Sequence, residues 1–471
     1  MTAVDVFVIG SGIAGLTAAN AAYEAGAREI MVAEAEGVVG GSSRLSGGIV
    51  MAAGSRMQQA AGISDDGDAL FHDYMALNQW RLDAGVVRRF ANESGAALDW
   101  LVDIGVEFHP QLIFGGDERV PRCARSVERG QGIIDALHRK CRERGIDIAL
   151  GQRVDRLLVE DRTVVGAAVG EDEVRAAAVI LATGGFGANR EMVEQLYPAA
   201  TATGEWMWYI GSDGARGDAL KLGSTVNAQV IGENRGLRLL HANFVETVEP
   251  YLPGWVILVI LVNRDGRRFV DETAPYGIMD GVMRAQGDVA YVVFDEAGLR
   301  PDPDGTRIEF KQAIPGREMT SPTWNPILID EMVANGKVKS APTIEGLAVE
   351  IGLPVGHLVG TVERYNAGAA TGNDDFAKAA KFLAAIDRPP FFGAEVRPAT
   401  LCFTACGLRI DPDTQVLDDD GRVVTGLFAV GECTGSVVGE LYMGSGNSLS
   451  NGATMGRVAG RAAAARALSR I

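Results

Sequence analysis

Three glycines near the start of the chain, Gly10, Gly12 and Gly15, have the spacing GxGxxG. They lie between a compact apolar run, Asp5–Ile9, and a helical stretch, Ala14–Ala25. In such a turn the first glycine permits the tight bend, the second lets the backbone approach a pyrophosphate, and the third lets the helix pack on the strand. The unpaired N–H groups of the first helical turn then face the phosphates. The pattern predicts a dinucleotide site.

An acidic residue follows at the position that such a site requires. Arg28–Glu34 is predicted as the second strand of a βαβ unit, and Glu34 ends it, 19 residues after Gly15. A carboxylate there holds a ribose hydroxyl and disfavours a 2′-phosphate, so NADP is not expected. The motif itself does not distinguish FAD from NAD.

Further glycine-rich segments follow in a set order. They are Gly40–Gly48, Ala182–Phe186, Gly211–Gly214 and Gly426–Glu432. With the N-terminal motif, this order resembles the flavoprotein family of fumarate reductase, succinate dehydrogenase and 3-ketosteroid dehydrogenases. The resemblance runs from residue 4 to about residue 465.

The resemblance implies that the dinucleotide is FAD. Family members with covalent FAD use a histidine shortly before or within the serine-rich loop, and Gly40–Gly48 contains none, so non-covalent FAD is expected. A helix that begins near Ser448 would direct its N–H groups at the pyrimidine ring. The residues expected to bind FAD are Gly10, Gly12, Ile13, Ala14, Gly15, Glu34, Ala35, Gly40, Gly41, Ser42, Ser43, Gly47, Gly48, Val154, Ala182, Thr183, Gly184, Asp213, Gly431, Glu432, Ser448 and Leu449.

Two tyrosines stand where the family places its reacting groups. Fumarate reductases have a catalytic arginine where this chain has Tyr276, and a second substrate arginine in the loop that here reads Leu441–Ser448, without arginine. The arginine clamp for a dicarboxylate is therefore missing. Tyr276, after Glu-Thr-Ala-Pro, and Tyr442 with Gly446 resemble instead the active-site positions of 3-ketosteroid Δ1-dehydrogenases. A further active-site tyrosine of that branch has no clear match, and Phe114 is the nearest candidate.

These residue types suit the desaturation of a ketone. The carbonyl oxygen takes up negative charge, for which the O–H of Tyr442 and the N–H of Gly446 would form an oxyanion site. Tyr276 would remove the α-proton as a phenolate while hydride passes from the β-carbon to flavin N5. A free tyrosine has a pKa of about 10, so the site must stabilise this phenolate.

The elements that position these residues indicate an α/β chain with two domains. We expect a Rossmann-type FAD-binding domain formed by residues 1–229 and 391–471. An inserted α+β catalytic (cap) domain would span residues 230–390. The sequence pattern changes at about residue 230, and Pro389-Pro390 would mark the return to the first domain.

The charge and composition of the chain limit the classes of partner that it is expected to bind. The net charge is −17, from 44 basic and 61 acidic residues, which disfavours nucleic acid and anionic lipid. The longest apolar run, Trp255–Val262, is too short to span a bilayer, which needs about 20 residues. Five cysteines show no CxxC or metal-type spacing, and the N-terminus resembles no signal peptide, so we expect reduced thiols, no metal site and a cytoplasmic location.

The resulting prediction is a non-covalent FAD enzyme that desaturates a cyclic ketone, similar to 3-ketosteroid Δ1-dehydrogenase. A smaller ring, such as 4-oxocyclohexanecarboxylate, is an alternative substrate. The acceptor for the electrons would be a quinone, oxygen or a protein carrier, since no second nucleotide motif is visible. Two other functions remain open: an ene-reductase acting on an enone or enoate, and a flavin electron-transfer subunit without a substrate of its own.

Overall fold

The computed structural model describes residues 2–116, 118–202, 204, 206–242, 259–296, 313–314, 317–318 and 326–469. The chain groups into two compact units. The first unit comprises Met1–Pro198, Gly211–Leu237 and Cys402–Ile471, and the second comprises Ala199–Ile210 and Arg238–Leu401.

The strands and helices are numbered in chain order. The strands are β1 (Thr2–Ile9), β2 (Ile30–Ala33), β3 (Ile49–Met51), β4 (Cys123–Arg125), β5 (Asp147–Ala149), β6 (Arg156–Glu160), β7 (Thr163–Val169), β8 (Asp172–Leu181), β9 (Trp208–Tyr209), β10 (Val230–Ile231), β11 (Gly236–His241), β12 (Ile260–Val262), β13 (Ala290–Phe294), β14 (Ala313–Ile314), β15 (Arg317–Glu318), β16 (Lys339–Ala341), β17 (Phe391–Thr404), β18 (Gly407–Leu408), β19 (Gln415–Leu417) and β20 (Val423–Ala429). The helices are α1 (Ile13–Glu24), α2 (Gly41–Leu45), α3 (Arg56–Ala60), α4 (Gly67–Leu77), α5 (Ala84–Asp103), α6 (Arg129–Glu143), α7 (Arg190–Leu196), α8 (Asp218–Ser224), α9 (Tyr276–Ala285), α10 (Pro326–Ala334), α11 (Ile344–Ile351), α12 (Val355–Thr371) and α13 (Asn447–Leu468).

The first unit is built on an eight-stranded sheet. Its order is β19-β20-β7-β8-β1-β2-β5, with β6 beside β7 and a further pairing between β20 and β8. Strands β5, β2, β1 and β8 are parallel, as are β8 and β20, whereas β6, β7 and β8 form an antiparallel meander. The expected α/β class is confirmed. Parallel strands require crossover connections, and α1 supplies the one between β1 and β2.

Helices α1 and α13 of the first unit approach each other at backbone distance. Gly452, Gly456 and Gly460 recur every four residues on α13 and therefore share one face. A Cβ atom placed on Gly456 would lie 2.6 Å from the carbonyl oxygen of Ala14, and one on Gly460 would lie 2.2 Å from that of Ala18. Only glycine permits this approach.

The second unit is a sheet covered by helices on both faces. Its six-stranded sheet has the order β11-β17-β13-β12, with β16 and β9 also beside β17. Alternate residues of β12 and β13 enter two separate hydrophobic clusters, as the period-2 pleat requires. One cluster contains Met279 of α9 and Ile329 of α10, and the other contains Leu347 of α11 and Leu358 of α12.

The boundaries of the two units differ from the expected insertion of residues 230–390. Residues 199–210 belong to the second unit because β9 pairs with β17 at Thr400 and Leu401. The return point lies after Leu401 rather than at Pro389-Pro390, since β17 is a single 14-residue strand that begins just after these prolines. Within Trp255–Val262, residues 260–262 form β12, and residues 255–258 lie outside the described residues. Among the described helices, none is both long and apolar enough to cross a membrane.

A single methyl group on the α13 face tests the close helix packing. We expect Gly460→Ala to destabilise the protein by about 1–3 kcal/mol, because the new Cβ overlaps the Ala18 carbonyl. The measurement is the midpoint of thermal unfolding. Gly360→Ala is the matched control. Gly360 lies on the exposed face of α12 with nothing within 4 Å of its would-be Cβ, so alanine there should be neutral or stabilising by up to about 1 kcal/mol. Equal effects of the two substitutions would contradict the packing argument.

Candidate functional site

The three glycines of the N-terminal motif serve two different purposes. A Cβ on Gly10 would lie 2.3 Å from the Ala182 carbonyl oxygen, and one on Gly15 would lie 1.9 Å from the Gly10 carbonyl oxygen, so both are required by the protein's own packing. Gly12 is different, because a Cβ there would meet only Ser43 Oγ at 3.4 Å and the Gly40 oxygen at 3.9 Å. Its missing side chain leaves room for a ligand in front of α1.

The carboxylate of Glu34 is held at the end of β2. Its Oε2 accepts hydrogen bonds from the Ser11 amide at 2.9 Å and the Ser11 hydroxyl at 2.5 Å, and its Oε1 accepts from the Glu36 amide at 2.8 Å. The side chain is buried. Carboxylate oxygens have about four lone-pair sites, so acceptor capacity remains for a ribose hydroxyl. Ala35, the next residue, is half-buried.

The serine-rich segment closes over the start of α1. Gly40 donates its amide to Ser11 Oγ at 3.1 Å, and Ser43 Oγ accepts from the Ile13 amide at 3.1 Å. Ser42 Oγ accepts from the Ser212 amide at 2.9 Å, which brings the Gly211–Gly214 segment alongside. Gly41 has nothing within 4 Å of its would-be Cβ. The open glycines and the serine hydroxyls therefore form one cradle.

The later glycine segments meet the same sheet edge. Thr183 Oγ1 accepts from the Ala219 amide at 3.2 Å, and Glu432 Oε1 accepts from the amide of Thr404 at 3.0 Å and from its hydroxyl at 3.1 Å. A Cβ on Gly185 would lie 2.2 Å from Glu432 Oε1. Burial raises the pKa of Glu432 to about 7, so this carboxyl holds a proton under mildly acidic conditions.

Other expected cofactor residues lie within the first unit with varied exposure. Val154 is buried beyond β5, Gly48 is buried against Arg129, and Gly47 is exposed. The Asp213 side chain is also exposed. These positions remain predictions for cofactor contacts. The remaining expected residues occupy the loops and helix starts at the carboxyl edge of the sheet and are Ala14, Ala182, Gly184, Gly431 and Leu449.

The cradle fits an extended dinucleotide. Helix α1 begins after Gly12 and α13 begins after Gly446, and no side chain of either N-cap residue bonds the first turn. First-turn N–H groups have no partner within a helix, and their positive dipole end attracts anionic groups. Open glycines, a carboxylate at the end of the second strand and two helix N-termini are features that a site for FAD uses.

Tyr442 lies in the loop that precedes α13, five residues before the first residue of the helix, Asn447. Its hydroxyl accepts a hydrogen bond from the Ser448 amide at 3.1 Å and lies 3.1 Å from Ser448 Oγ, while its ring packs on Phe403 with 4.8 Å between centroids. Burial raises the pKa of Tyr442 far above its ordinary value, so the phenol stays protonated. The Ser448 amide, expected at the flavin, is thus also coupled to Tyr442. Gly446 has a φ of 91° and its would-be Cβ would lie 2.8 Å from the Met51 amide.

Tyr276 belongs to the second unit and is the first residue of α9, directly after Pro275. It is half-buried. The preceding turn is shaped by Asp271, whose Oδ1 accepts from the amide and the hydroxyl of Thr273, both at 2.8 Å. The positive end of the helix dipole at this residue favours a negative charge on the phenol oxygen.

A buried charged network anchors the segment that leads to Tyr276. Glu272 Oε1 accepts from Arg268 Nε at 3.0 Å and from the Leu261 amide at 3.0 Å, and Glu272 Oε2 accepts from Lys378 Nζ at 3.0 Å. Arg268 also pairs with Asp374. The Arg268 guanidinium holds the pKa of Asp374 below its ordinary value despite burial, so this carboxyl is ionised. The sequence indicated Glu272 only as part of a motif.

The structure adds residues that sequence reasoning missed. Tyr74 and Asn78, on and just after α4, hydrogen-bond to the loop that carries Tyr442. Phe114, the nearest match to the third tyrosine of the ketosteroid branch, is 56% exposed. No sequence signal pointed to Tyr74, because its partners lie more than 360 residues later in the chain.

The chain belongs to the FAD binding domain family, which matches residues 5–449. A probable fumarate reductase, Ifc3, of Shewanella frigidimarina (strain NCIMB 400) is 31% identical over 99% of this chain and 76% of its own length. A 4-oxocyclohexanecarboxylate 2-dehydrogenase of Sinomonas cyclohexanicum is 26% identical over 98% of this chain and 93% of its own length. The solved structure of the 3-ketosteroid Δ4-(5α)-dehydrogenase of Rhodococcus jostii RHA1, in complex with 4-androstene-3,17-dione, has a TM-score of 0.79 at 28% identity and covers 98% of this chain and 97% of that one.

These relatives and the cradle define an FAD-dependent oxidoreductase that acts on CH–CH groups. The predicted cofactor and the predicted kinship with fumarate reductases and ketosteroid dehydrogenases are confirmed.

The carboxyl of Glu432 predicts a pH dependence of stability. The folded protein keeps this proton up to about pH 7, whereas the unfolded chain releases it near the ordinary value of 4.5. The folded state therefore binds more protons in this window, and the free energy of unfolding falls as pH rises through it. We expect Glu432→Gln to remove this decline. The test compares unfolding midpoints of FAD-stripped wild type and variant from pH 5 to 8; parallel curves would contradict the assignment.

Proposed function

We propose that this protein desaturates a cyclic ketone next to its carbonyl group. The observation that carries the proposal is the hydrogen bond from the Ser448 amide to the Tyr442 hydroxyl. Because the phenol oxygen accepts from the Ser448 amide, its own proton remains for donation, either to Ser448 Oγ or to a substrate oxygen. A raised pKa keeps that proton in place, which is what a donor to a carbonyl oxygen needs. Tyr442 and the Gly446 amide would then stabilise the enolate oxygen.

Tyr276 is assigned as the base in this proposal. The α-proton moves to its phenolate oxygen, and the electron pair of that C–H bond forms the new double bond. Bound FAD supplies the acceptor for the hydride that leaves the β-carbon. The start of α9 favours the phenolate form, and the Glu272 network holds the segment that precedes it.

The proposal also concerns the size of the ring system in the substrate. A relative named for 4-oxocyclohexanecarboxylate and solved neighbours named for 3-ketosteroids both act on ketone rings. We propose the same class here and leave one ring and four rings as the alternatives to be ranked. We further propose a cytoplasmic location, reoxidation by a quinone, oxygen or protein carrier, and non-covalent FAD.

Anaerobic titration of the flavin absorbance tests the reaction. The panel contains a 3-ketosteroid, 4-oxocyclohexanecarboxylate, succinate and NADH. We expect a saturated cyclic ketone to bleach the flavin, and the rates to rank steroid against monocycle. Bleaching by succinate or NADH alone would overturn the ketone assignment.

A second candidate function is the reverse reaction, reduction of an enone or enoate. The identity to a probable fumarate reductase favours it, although Tyr276 replaces the arginine that a dicarboxylate needs. Reoxidation of the dithionite-reduced protein by enones and by fumarate separates these cases. Rapid reoxidation by fumarate would support the reductase; absence of reaction with every organic compound would support an electron-transfer subunit.

Tyr276→Phe tests the proposed base. The substitution removes only the phenolic O–H, so we expect loss of turnover by at least about 100-fold, within the range of general-base catalysis, with FAD still bound. The measurement is steady-state turnover and flavin content. Tyr291→Phe is the matched control, because Tyr291 is a half-buried tyrosine of β13 in the same unit. Wild-type turnover in Tyr276→Phe would exclude this residue as the base.

A further inference from the structure

The loop that carries Tyr442 is held by two side chains from a distant part of the sequence. We define the tyrosine loop as Leu441–Asn447. Tyr74, on α4, and Asn78, its C-cap residue, are four positions apart and therefore face the same side of the helix. Each contacts one end of the tyrosine loop.

Asn78 hydrogen-bonds to the start of the tyrosine loop with both the oxygen and the nitrogen of its side-chain amide, as the backbone of a paired β-strand does. Its Oδ1 accepts from the Leu441 amide at 3.1 Å, and its Nδ2 donates to the Leu441 carbonyl at 3.1 Å and to the Tyr74 carbonyl at 3.2 Å. Both donor positions of the amide are thereby used. A Cβ on Gly439 would lie 2.0 Å from Asn78 Oδ1, so glycine makes the approach possible.

Tyr74 binds the end of the tyrosine loop. Its hydroxyl lies 2.7 Å from Nδ2 and 2.9 Å from Oδ1 of Asn447, the first residue of α13. Tyr74 is 1% exposed and Asn447 is fully buried. A buried polar group that loses its partner is costly, so these contacts are strongly maintained.

The opposite side of the tyrosine loop contacts backbone and a thiol. The Ser445 amide donates to the Gly115 carbonyl at 2.8 Å, and Cys123 Sγ donates to the Ser445 carbonyl at 3.0 Å. A Cβ on Gly444 would lie 2.5 Å from the Gly115 carbonyl carbon. The tyrosine loop therefore has contacts on two sides. Side chains on and after α4 hold both of its ends, and Gly115 and Cys123 contact its middle.

We propose that Tyr74 and Asn78 are positioning residues that set the direction of the Tyr442 hydroxyl and the Gly446 amide for the reaction. This inference rests on the proposed function, because it gives these two groups a common carbonyl oxygen. Two donors stabilise one developing charge only when both keep their geometry. A displacement of about 1 Å costs on the order of 100-fold in rate. The α4 contacts lie immediately before Tyr442 and immediately after Gly446, where such a displacement would begin.

The experiment uses the FAD-loaded full chain with Tyr74→Phe and Asn78→Asp. Tyr74→Phe removes one hydroxyl. Asn78→Asp keeps the shape and the acceptor but turns a carboxylate oxygen towards two carbonyl oxygens. For both we expect amide hydrogen exchange in residues 439–446 to be about 10-fold faster or more, and kcat with the best ketone to fall about 10- to 100-fold while KM changes less than about 3-fold. Tyr197→Phe is the control, because Tyr197 is fully buried in the same unit but packs against Gly236.

A double-mutant cycle shows whether Tyr74 acts through Tyr442. In a Tyr442→Phe background, Tyr74→Phe should lower kcat by a clearly smaller factor than in the wild-type background, since one of the two groups it positions is already absent. Unchanged hydrogen exchange in either variant would overturn the proposal, as would fully additive losses of kcat. If no ketone is turned over, the proposed function fails, and the exchange measurement alone decides whether α4 holds the tyrosine loop.

Discussion

Much of the first unit depends on how closely α1 and α13 approach each other. Three glycines on α13 remove the side chains that would separate the helices, and the carbonyl oxygens of Ala14 and Ala18 fill that space. Because the first of these glycines, Gly452, meets Ile13, the contact begins at the first turns of both helices. Both helix starts are therefore fixed within one rigid pair. Two helix N-termini held in this way favour an elongated anionic cofactor through their backbone amides and helix dipoles.

The fixed position of α13 also determines the geometry around Tyr442. Since α13 is fixed by its packing, the Ser448 amide in its first turn has a fixed direction, and Tyr442 accepts from it. The position of the Tyr442 hydroxyl thus depends on the backbone of a 22-residue helix rather than on a mobile charged side chain. A neutral donor network of this kind suits a carbonyl oxygen, whereas a dicarboxylate requires cationic partners. The electrostatics of the loop consequently agree with the ketone assignment.

Sequence reasoning predicted the FAD cofactor, which the family match confirms, from a pattern that is encoded locally. Gly10, Gly12, Gly15 and Glu34 lie within 25 residues and their roles follow from one turn and two strands. It failed where partners are distant: nothing in Tyr74 or Asn78 indicates contact with a loop more than 360 residues away. The domain boundary was displaced for a related reason. The prolines at 389 and 390 resemble a break, but strand pairing continues to residue 404 and no local signal records such pairing.

In the second unit, a buried network of charged side chains fixes the segment that leads to Tyr276. The segment before this residue is anchored by two buried cations and two buried anions, Arg268, Lys378, Glu272 and Asp374. Apolar replacements would stabilise a core as well or better, so stability alone does not explain these charges. The network also bonds the Leu261 amide and the Val259 carbonyl, which fixes the segment against the start of β12 in one register. The network thereby fixes the position of the segment that leads into α9 and Tyr276.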